Sequence, residues 1–434
     1  MNYPKIPDFS RLSGSICHYA QLMHEYGAQN IQELLDEAEQ SMNSVAERLT
    51  KLPINRELAA AEPDDLEKIR LLRPDGPRKL WTSMDEALYV EKLEGAMLAR
   101  FAGCTLGAIV EGWPIAEMED WAGHTGDAFP PQDYWTQAKS PLSLRYGKNT
   151  CDAYTRNGMD GVPVDDDITY TLLGLLIAED YGPDFTVDDV GKAWLKYLPC
   201  ACTAEDVALK NLKIGIPASR AAEIGNPYCQ WIGADIRSDP WAYMAPAYPE
   251  KAAELAYRDA YLSHRRNGIY GEMFFSAAQA AAFAVDNPVD ALKIGLTEIP
   301  RDCLLAGDLR WALAEGGNIK NFKDARQAVD EKFKGMHPVH TNNNACLTIF
   351  GLMIGGHDVT KVIAETVAMG LDNDCTAATA GSIAGAIVGK KGIPVHWYKN
   401  FNNKVLTYMI DREEFEISDL IRRFTSQANK IYAV

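Results

Sequence analysis

The stretch from residue 165 to residue 177, Asp-Asp-Asp-Ile-Thr-Tyr-Thr-Leu-Leu-Gly-Leu-Leu-Ile, places three acidic side chains directly ahead of an apolar run. From Ile168 to Leu176, apolar residues recur at the i, i+4, i+7 and i+8 spacing of one helix face. This pattern predicts a buried helix with carboxylates at its N-terminus. Tyr181-Gly182-Pro183 predicts the end of the same helix.

Helix capping alone does not account for three consecutive aspartates. Asp is a favoured capping residue and suits the positive end of a helix dipole, but one side chain is enough for that role. Further acids at the edge of an apolar core repel one another. The stretch is therefore either an acidic cap or half of a cation site.

A second acidic pair precedes another predicted helix. Asp372-Asn373-Asp374 leads into a segment in which Gly381, Gly385 and Gly389 are spaced by four residues. Such a face lets another backbone approach closely. Oxygen-only ligand sets suit Mg²⁺, Mn²⁺ or Ca²⁺ rather than zinc, so two facing clusters would form a two-metal site.

Composition restricts the class of protein. The chain has 434 residues, a net charge of −17 and nine cysteines. The acidic balance argues against a nucleic-acid-binding surface and against a membrane surface. An odd number of cysteines and an N-terminus without an apolar signal segment predict a cytoplasmic protein.

Residues 1–82 are predicted to be a helical extension. Residues 30–51 show helical periodicity, and prolines punctuate the remainder. This extension is either an arm for a partner or second subunit, or a helix that packs on the main domain. The main domain is predicted to cover residues 83–434 and to begin with a capping box formed by Ser83 and Glu86.

The rest of the chain predicts helices and almost no strands. A small-residue face at Gly95, Ala99, Gly103 and Gly107 matches the face after Asp372, so the two helices could pack closely against each other, or the small faces could indicate only a tight core. Residues 113–164 are rich in Gly, Pro and aromatics and predict a long irregular connection. Further helices are predicted at 206–213, 251–264, 272–285, 290–298, 321–333, 344–354, 359–369 and 418–431. The predicted fold class is all-α, with one large orthogonal helical domain.

Four segments resemble motifs of the ADP-ribosylglycohydrolases, a family of all-α enzymes that bind two Mg²⁺ ions and cleave ADP-ribose from a modified acceptor. The resemblance covers roughly residues 90–400 in the family's order. The segments are Gly103-Cys-Thr-Leu-Gly107 with Glu111, Asp165-Asp166-Asp167, Gly225-Asn226 with Leu262-Ser263-His264, and Asp372-Asn373-Asp374-Cys375.

The resemblance implies a role for each of these residues. It implies two Mg²⁺ ions, with Mn²⁺ as a possible substitute, held by Asp165, Asp166, Asp167, Asp372, Asp374 and Cys375. It implies that the catalytic residues are Glu111, Asp166 and Asp374. It implies that the residues that contact the substrate are Gly225, Asn226 and His264.

The sequence departs from the family pattern at four positions. Asp165 stands where the family has Ser or Thr, Ile168 replaces a Thr, and Cys375 replaces a hydroxyl residue. Cys104 replaces a usual Asp. An added carboxylate suits a hard cation, whereas a thiol is a poor ligand for Mg²⁺.

The sequence thus predicts a metal-dependent hydrolase that cleaves the glycosidic bond of an ADP-ribosyl or related ribosyl conjugate. The expected substrate is an ADP-ribosylated protein or a small conjugate. Two alternatives stay open. One is a non-catalytic, crystallin-like or ADP-ribose-binding protein that keeps the fold, and the other is a two-metal phosphoesterase, which the scarcity of histidine near the clusters disfavours.

Overall fold

A computed structural model describes residues 3–138 and 151–433, and nineteen α-helices and one two-stranded sheet lie in that part of the chain. The first nine helices are α1 (Phe9–Glu25), α2 (Ile31–Thr50), α3 (Arg56–Ala61), α4 (Leu66–Leu72), α5 (Glu86–Gly107), α6 (Ile115–Thr125), α7 (Asp166–Tyr181), α8 (Val187–Tyr197) and α9 (Thr203–Lys213). The others are α10 (Asp239–Met244), α11 (Pro249–Ala260), α12 (Asn267–Ala282), α13 (Pro288–Gly295), α14 (Leu304–Glu315), α15 (Phe322–Lys332), α16 (Thr341–Gly355), α17 (Val359–Ala368), α18 (Asn373–Val388) and α19 (Ile417–Tyr432). Strand β1 (Lys404–Leu406) pairs antiparallel with β2 (Glu414–Glu416). The predicted all-α class is confirmed.

The chain divides into two compact units, Met1–Ala60 and Ala61–Val434. The sequence predicts an extension that ends at residue 82, whereas residues 61–82 are part of the larger unit. Three hydrogen bonds attach residues 61–82 to the rest of the larger unit. The Glu62 carboxylate accepts hydrogen bonds from the Leu304 amide at 2.7 Å and from Asn267 Nδ2 at 3.1 Å, and the Leu80 amide donates to a carbonyl of the larger unit.

Two antiparallel helices, α5 and α18, form the centre of the larger unit. A Cβ atom at Gly103 would lie 2.2 Å from the carbonyl oxygen of Ala377, and one at Gly385 would lie 2.3 Å from that of Gly95. Both contacts are shorter than any real Cβ atom makes, so the glycines allow backbone to touch backbone. The predicted close packing of the two small-residue faces is confirmed.

The predicted start of α5 is wrong. The helix begins at Glu86, and its N-cap is Asp85 rather than Ser83. The Asp85 side chain accepts hydrogen bonds from the amides of Ala87 and Leu88, at 3.0 and 3.1 Å. Because Asp caps as well as Ser does, the aspartate nearer the apolar run takes the role.

Three further helices are buried on nearly all sides. Every residue of α12 is buried, and α7 and α16 are buried over most of their length. A helix that is apolar around its whole circumference belongs inside a large core. Helix α17 packs against both α16 and α18, which places the N-terminus of α18 within this core.

All eight helices predicted after residue 205 are present, with ends shifted by a few residues. Seven helices were not predicted individually from the sequence, namely α1, α3, α4, α6, α8, α10 and α14. Helix α6 lies in the connection that was predicted to be irregular, and residues 139–150 of that connection lie outside the described residues. Helix α8 carries a capping box of Thr186 and Asp189 that could have revealed it. Among the described residues, no helix combines the length and apolarity needed to cross a membrane.

Candidate metal centre

Short-range contacts fix the three aspartates at the start of α7. Asp165 is the N-cap, and its carboxylate accepts a hydrogen bond from the Asp167 amide at 3.0 Å. Just upstream, the amide of Val162 donates to the carbonyl of Lys404 at 2.8 Å, and the amide of Leu406 donates back to Val162 at 3.0 Å. Strand β1 therefore holds the chain that leads into this helix. Capping uses only Asp165, so Asp166 and Asp167 need another explanation.

The start of α18 is positioned by the backbone of α5. A Cβ atom at Gly107 would lie 2.4 Å from Cα of Asp374 and 2.5 Å from its amide nitrogen. Asp372 is the N-cap, but its side chain makes no capping hydrogen bond. The residue before it, Leu371, has a φ of 62°, which is uncommon for a residue with a side chain. The Asp372 carboxylate is therefore available for a role other than capping.

The two helix starts bring their carboxylates together. Three groups of side chains in the described part of the chain have ligand atoms that all lie within 4.8 Å of one another, and they could each hold a metal ion. These groups are Cys104 with Asp165 and Asp374, Glu111 with Asp372 and Asp374, and Asp165 with Asp166 and Asp167. Because Asp165 and Asp374 each belong to two groups, the six carboxylates form one continuous cluster. We call this set the acidic cluster.

The acidic cluster lines a cavity of about 430 Å³. Burial raises the pKa of Asp372 well above its usual range, and the neighbouring charges of Asp374 and Glu111 raise it further. Burial, together with Glu111 and Asp166, raises the pKa of Asp374 to about 8. Burial and the neighbouring negative charges both disfavour the ionised form of these carboxyl groups. A bound cation would relieve this cost.

One carboxylate oxygen of Asp374 has no hydrogen-bond partner among the described residues. The residue is 3% exposed, and its Oδ1 atom is buried without a hydrogen-bond partner. Buried polar atoms are normally paired, and an unpaired one is a common sign of a missing ion or water. The hard oxygen donors of the cluster fit Mg²⁺ or Mn²⁺.

One guanidinium reaches the edge of the cluster. Arg100 is fully buried, and it donates to the Asp167 carbonyl at 2.9 Å and lies 3.4 Å from the Asp167 carboxylate. It also pairs with Asp239 at 2.7 Å. Burial and Asp374 raise the pKa of Asp167 well above its usual range, and Arg100 opposes that shift. Because Arg100 is shared with Asp239, it offsets only a small part of the charge of the cluster.

The two cysteines near the acidic cluster have different positions. Cys375, which the sequence predicts as a ligand, is buried and belongs to none of the three groups of ligand atoms found in the described residues. The Cys104 sulfur lies with Asp165 and Asp374 instead. Burial raises the pKa of the Cys104 thiol well above its usual range, so it stays protonated. A neutral thiol is a poor partner for a hard cation.

The predicted substrate-binding residues lie elsewhere. The Asn226 side chain donates to the carbonyl of Ser263 at 2.9 Å, and Gly225 has a φ of 65° in the preceding turn. His264 is fully buried, and its Nδ1 atom lies 2.8 Å from Ser263 Oγ. None of Gly225, Asn226 and His264 is among the described residues that line the acidic cavity. Their contact with a substrate stays a prediction.

The same cavity is also lined by residues that the sequence did not reveal as site residues. They include Glu205 from the first turn of α9, Tyr170 and Tyr408. A Cβ atom at Gly233 would lie 2.2 Å from the Glu205 carboxylate, so only glycine leaves room for that side chain. Burial raises the pKa of Glu205 to about 7, although Arg237 opposes the shift.

Glu205 also belongs to a second buried group of charges. Arg237 is 1% exposed and pairs with Glu205 at 2.9 Å, with Asp259 at 2.6 Å and with Glu272 at 3.4 Å. We call these four residues the arginine cluster. No local sequence pattern indicates it, because its members come from four separate segments.

The fold is all-α, and its cavity is lined by carboxylates from two helix N-termini that could hold metal ions. The sequence model of one family, the ADP-ribosylglycohydrolases, matches residues 84–429. The chain belongs to the ADP-ribosylglycohydrolase family.

Comparisons with individual proteins add little to this assignment. One solved structure that is similar to this chain is described as an ADP-ribosylglycohydrolase-related protein complex. The similarity covers 80% of this chain and 99% of that chain, with 19% sequence identity and a TM-score of 0.44. No curated protein matches the chain.

Proposed function

We propose that the protein is a metal-dependent glycosidase that hydrolyses the bond between the ribose of an ADP-ribosyl, or related ribosyl, group and its acceptor. The family assignment supports an ADP-ribosylglycohydrolase-type hydrolase. The observation that carries the finer proposal is the convergence of six carboxylates on one cavity, with a buried Asp374 oxygen left unpaired. The proposed substrate is an ADP-ribosylated protein or a small ADP-ribosyl conjugate.

The proposed ligands of two Mg²⁺ ions lie at the two helix N-termini. They are Asp165, Asp166 and Asp167 at the start of α7, and Asp372 and Asp374 at the start of α18. Cys375 stays a predicted ligand on the family resemblance alone. When bound, such ions neutralise the buried charge, attract the ribose hydroxyls and polarise water.

Glu111 is the proposed general base. It follows the end of α5 and lines the same cavity as Asp166 and Asp374, while part of its surface stays in contact with solvent. The partial burial of its carboxylate and the charge of Asp166 raise its pKa, which makes the carboxylate a stronger base. Glu111 would take a proton from water as the water oxygen bonds to the anomeric carbon and the glycosidic bond breaks. Glu111 would then return that proton to the departing acceptor.

Diffraction from crystals soaked with Mn²⁺ and ADP-ribose tests the metal centre. We expect two anomalous peaks roughly 3.5–4 Å apart, as in other two-metal sites, between the N-termini of α7 and α18. Absence of any peak at the acidic cluster would reject the metal-binding proposal.

Assays of purified protein separate the proposed activity from its alternatives. We expect release of free ADP-ribose from an ADP-ribosylated acceptor in Mg²⁺ and none in EDTA. Binding of ADP-ribose without any release would identify a non-catalytic binding protein. Hydrolysis of a phosphate ester in place of the glycosidic bond would identify a phosphoesterase.

A further inference from the structure

The N-terminal unit, residues 1–60, presents an open apolar groove. Helices α1 and α2 form the walls of the groove, and the sequence places its apolar residues at helical spacing. We call this surface the hairpin groove, and its principal side chains are Leu12, Ile16, Tyr19, Met23, Leu34 and Leu35.

The unit has almost no core of its own. Within Phe9–Glu25 and Ile31–Thr50, every residue of which the structure describes, no residue is buried. Tyr19 is 66% exposed and Leu34 is 67% exposed. Amphipathic helices in water gain most of their stability by packing an apolar face, and units of this size are marginal even with a core. Something must therefore cover the groove.

The exposed apolar area is large enough for a subunit interface. Fourteen large apolar side chains between Ile6 and Ile54 are more than a third exposed, and ten of them lie in α1 or α2. At about 50 Å² each, those ten leave roughly 500 Å² of apolar surface in water. A standard interface takes about 800 Å² from each partner, of which about 65% is apolar in a homodimer.

The charge of α2 limits the identity of the occupant. The helix carries five acidic residues, Glu33, Asp36, Glu37, Glu39 and Glu47, and a single basic residue, Arg48. A helix that binds the surface of a membrane carries Lys and Arg on its polar face, because anionic lipids give the cytoplasmic leaflet a negative surface potential. The groove is therefore unsuited to lipid. Helix α1 carries one Arg and one Glu, so it is close to neutral.

We propose that the occupant is a second copy of this chain, joined through the hairpin grooves of two protomers as a four-helix bundle. Two antiparallel hairpins form the simplest such bundle, and twofold homodimers are the commonest soluble oligomers. The acidic surface of α2 repels a second α2. The favoured arrangement is therefore the one in which α1 of each protomer packs on α2 of its partner.

Light scattering of the full-length protein after size-exclusion chromatography tests this dimer. Wild-type protein at 50 µM should have twice the chain mass of 48.0 kDa. The double variant Ile16→Glu/Leu34→Glu places charges in the groove and should have the mass of one chain. The control is Ile214→Glu, which makes the same kind of substitution once, at a residue that is 76% exposed in the larger unit, and it should stay dimeric.

Two results would overturn the proposal. The first is a wild-type protein that is monomeric at 50 µM, because the groove would then have another occupant. The second is a double variant that remains dimeric. Circular dichroism melts of the full-length proteins serve as the check on folding. The main transition should have the same midpoint in the wild type and in both variants, so that any loss of mass reflects dissociation rather than unfolding.

Discussion

The acidic cluster and the arginine cluster contain similar side chains but differ in their counter-charge. In the arginine cluster, three buried carboxylates surround one fully buried guanidinium at 2.6–3.4 Å. In the acidic cluster, six carboxylates converge, and the ion pairs found among the described residues include only that of Arg100 with Asp167, at 3.4 Å. Both groups of acids have raised pKa values because both are buried.

This difference separates a structural charge network from a cation site. Where the protein supplies a guanidinium, the carboxylates are satisfied by protein alone and the group needs no ligand. The acidic cluster has only Arg100, which it shares with Asp239, so most of its carboxylates require protons or a bound cation. Four experiments test whether this distinction is correct.

The largest expected effect is on activity. Glu111→Gln removes the proposed general base but keeps the shape of the side chain, so turnover should fall by roughly 10²–10⁴-fold. Binding of ADP-ribose, measured by calorimetry in Mg²⁺, should persist. Loss of ADP-ribose binding would instead assign Glu111 a ligand or structural role.

The next effect is on the stability of the arginine cluster. Arg237→Met leaves buried carboxylates without their guanidinium and should lower the free energy of unfolding by about 3–5 kcal/mol. Because no cation is involved, urea titrations should give the same loss in EDTA and in Mg²⁺. Arg422→Met, which removes an exposed partner of Asp419 on α19, is the control and should cost less than about 1 kcal/mol. If Mg²⁺ restored the stability of Arg237→Met, the two clusters would not be distinct.

Glu205 belongs to the arginine cluster but faces the acidic cavity, and its pKa gives a pH-dependent test. Its folded pKa of about 7 exceeds the ordinary value of 4.5, so the folded protein keeps a proton that the unfolded chain loses. The resulting stabilisation is complete below pH 4.5 and is lost as the pH rises through 7. Over that window the wild type should lose about 3 kcal/mol relative to Glu205→Gln.

Urea titrations from pH 4.5 to pH 8 in saturating Mg²⁺ measure this difference. Asp206→Asn changes the next residue of α9, which pairs with Lys210 at the surface, and it serves as the control. A constant difference between the wild type and Glu205→Gln across the window would show that Glu205 is ionised throughout.

The smallest effect has a sign that depends on metal. Asp374→Asn removes one of the converging charges, so in EDTA at pH 8 the variant should melt above the wild type. In Mg²⁺ the order should reverse, because a hundredfold excess over Kd stabilises the wild type by about 2.7 kcal/mol and the variant by less. Asp358→Asn, at the cap of α17, should lower stability equally in both buffers. Equal losses of stability for Asp374→Asn in both buffers would show that Asp374, like Asp358, acts only on the dipole of its helix.

The parts of the molecule that could be predicted from sequence depend on local signals. The start and end of α7, the small-residue faces of α5 and α18 and most later helices follow from periodicity and from breaker residues a few positions apart. The two aspartate motifs are local in the same way, and that is why the sequence could propose that they converge.

The lining of the cavity beyond the two aspartate motifs results from contacts between distant segments. Glu205 is ordinary within α9, and it becomes notable only because Gly233 leaves space for it and Arg237 pairs with it. The position of Cys104 beside Asp165 and Asp374 likewise results from the packing of α5 on two other helices. The choice of Asp85 over Ser83 is a different case, because both residues are acceptable caps and the sequence does not discriminate between them.

The contact of Gly107 with the backbone of Asp374 has a consequence for ion selectivity. If ions bind as proposed, the backbone that carries Asp372 and Asp374 is held against α5 where two main chains touch, so this side of the site cannot move away from the ions without separating the two helices. Mg²⁺ requires oxygens at about 2.0–2.1 Å in nearly ideal octahedral geometry, whereas Ca²⁺ accepts longer and more irregular contacts. Gly107, which has no side chain and binds no ion, would therefore favour the smaller cation by keeping this side of the site from expanding.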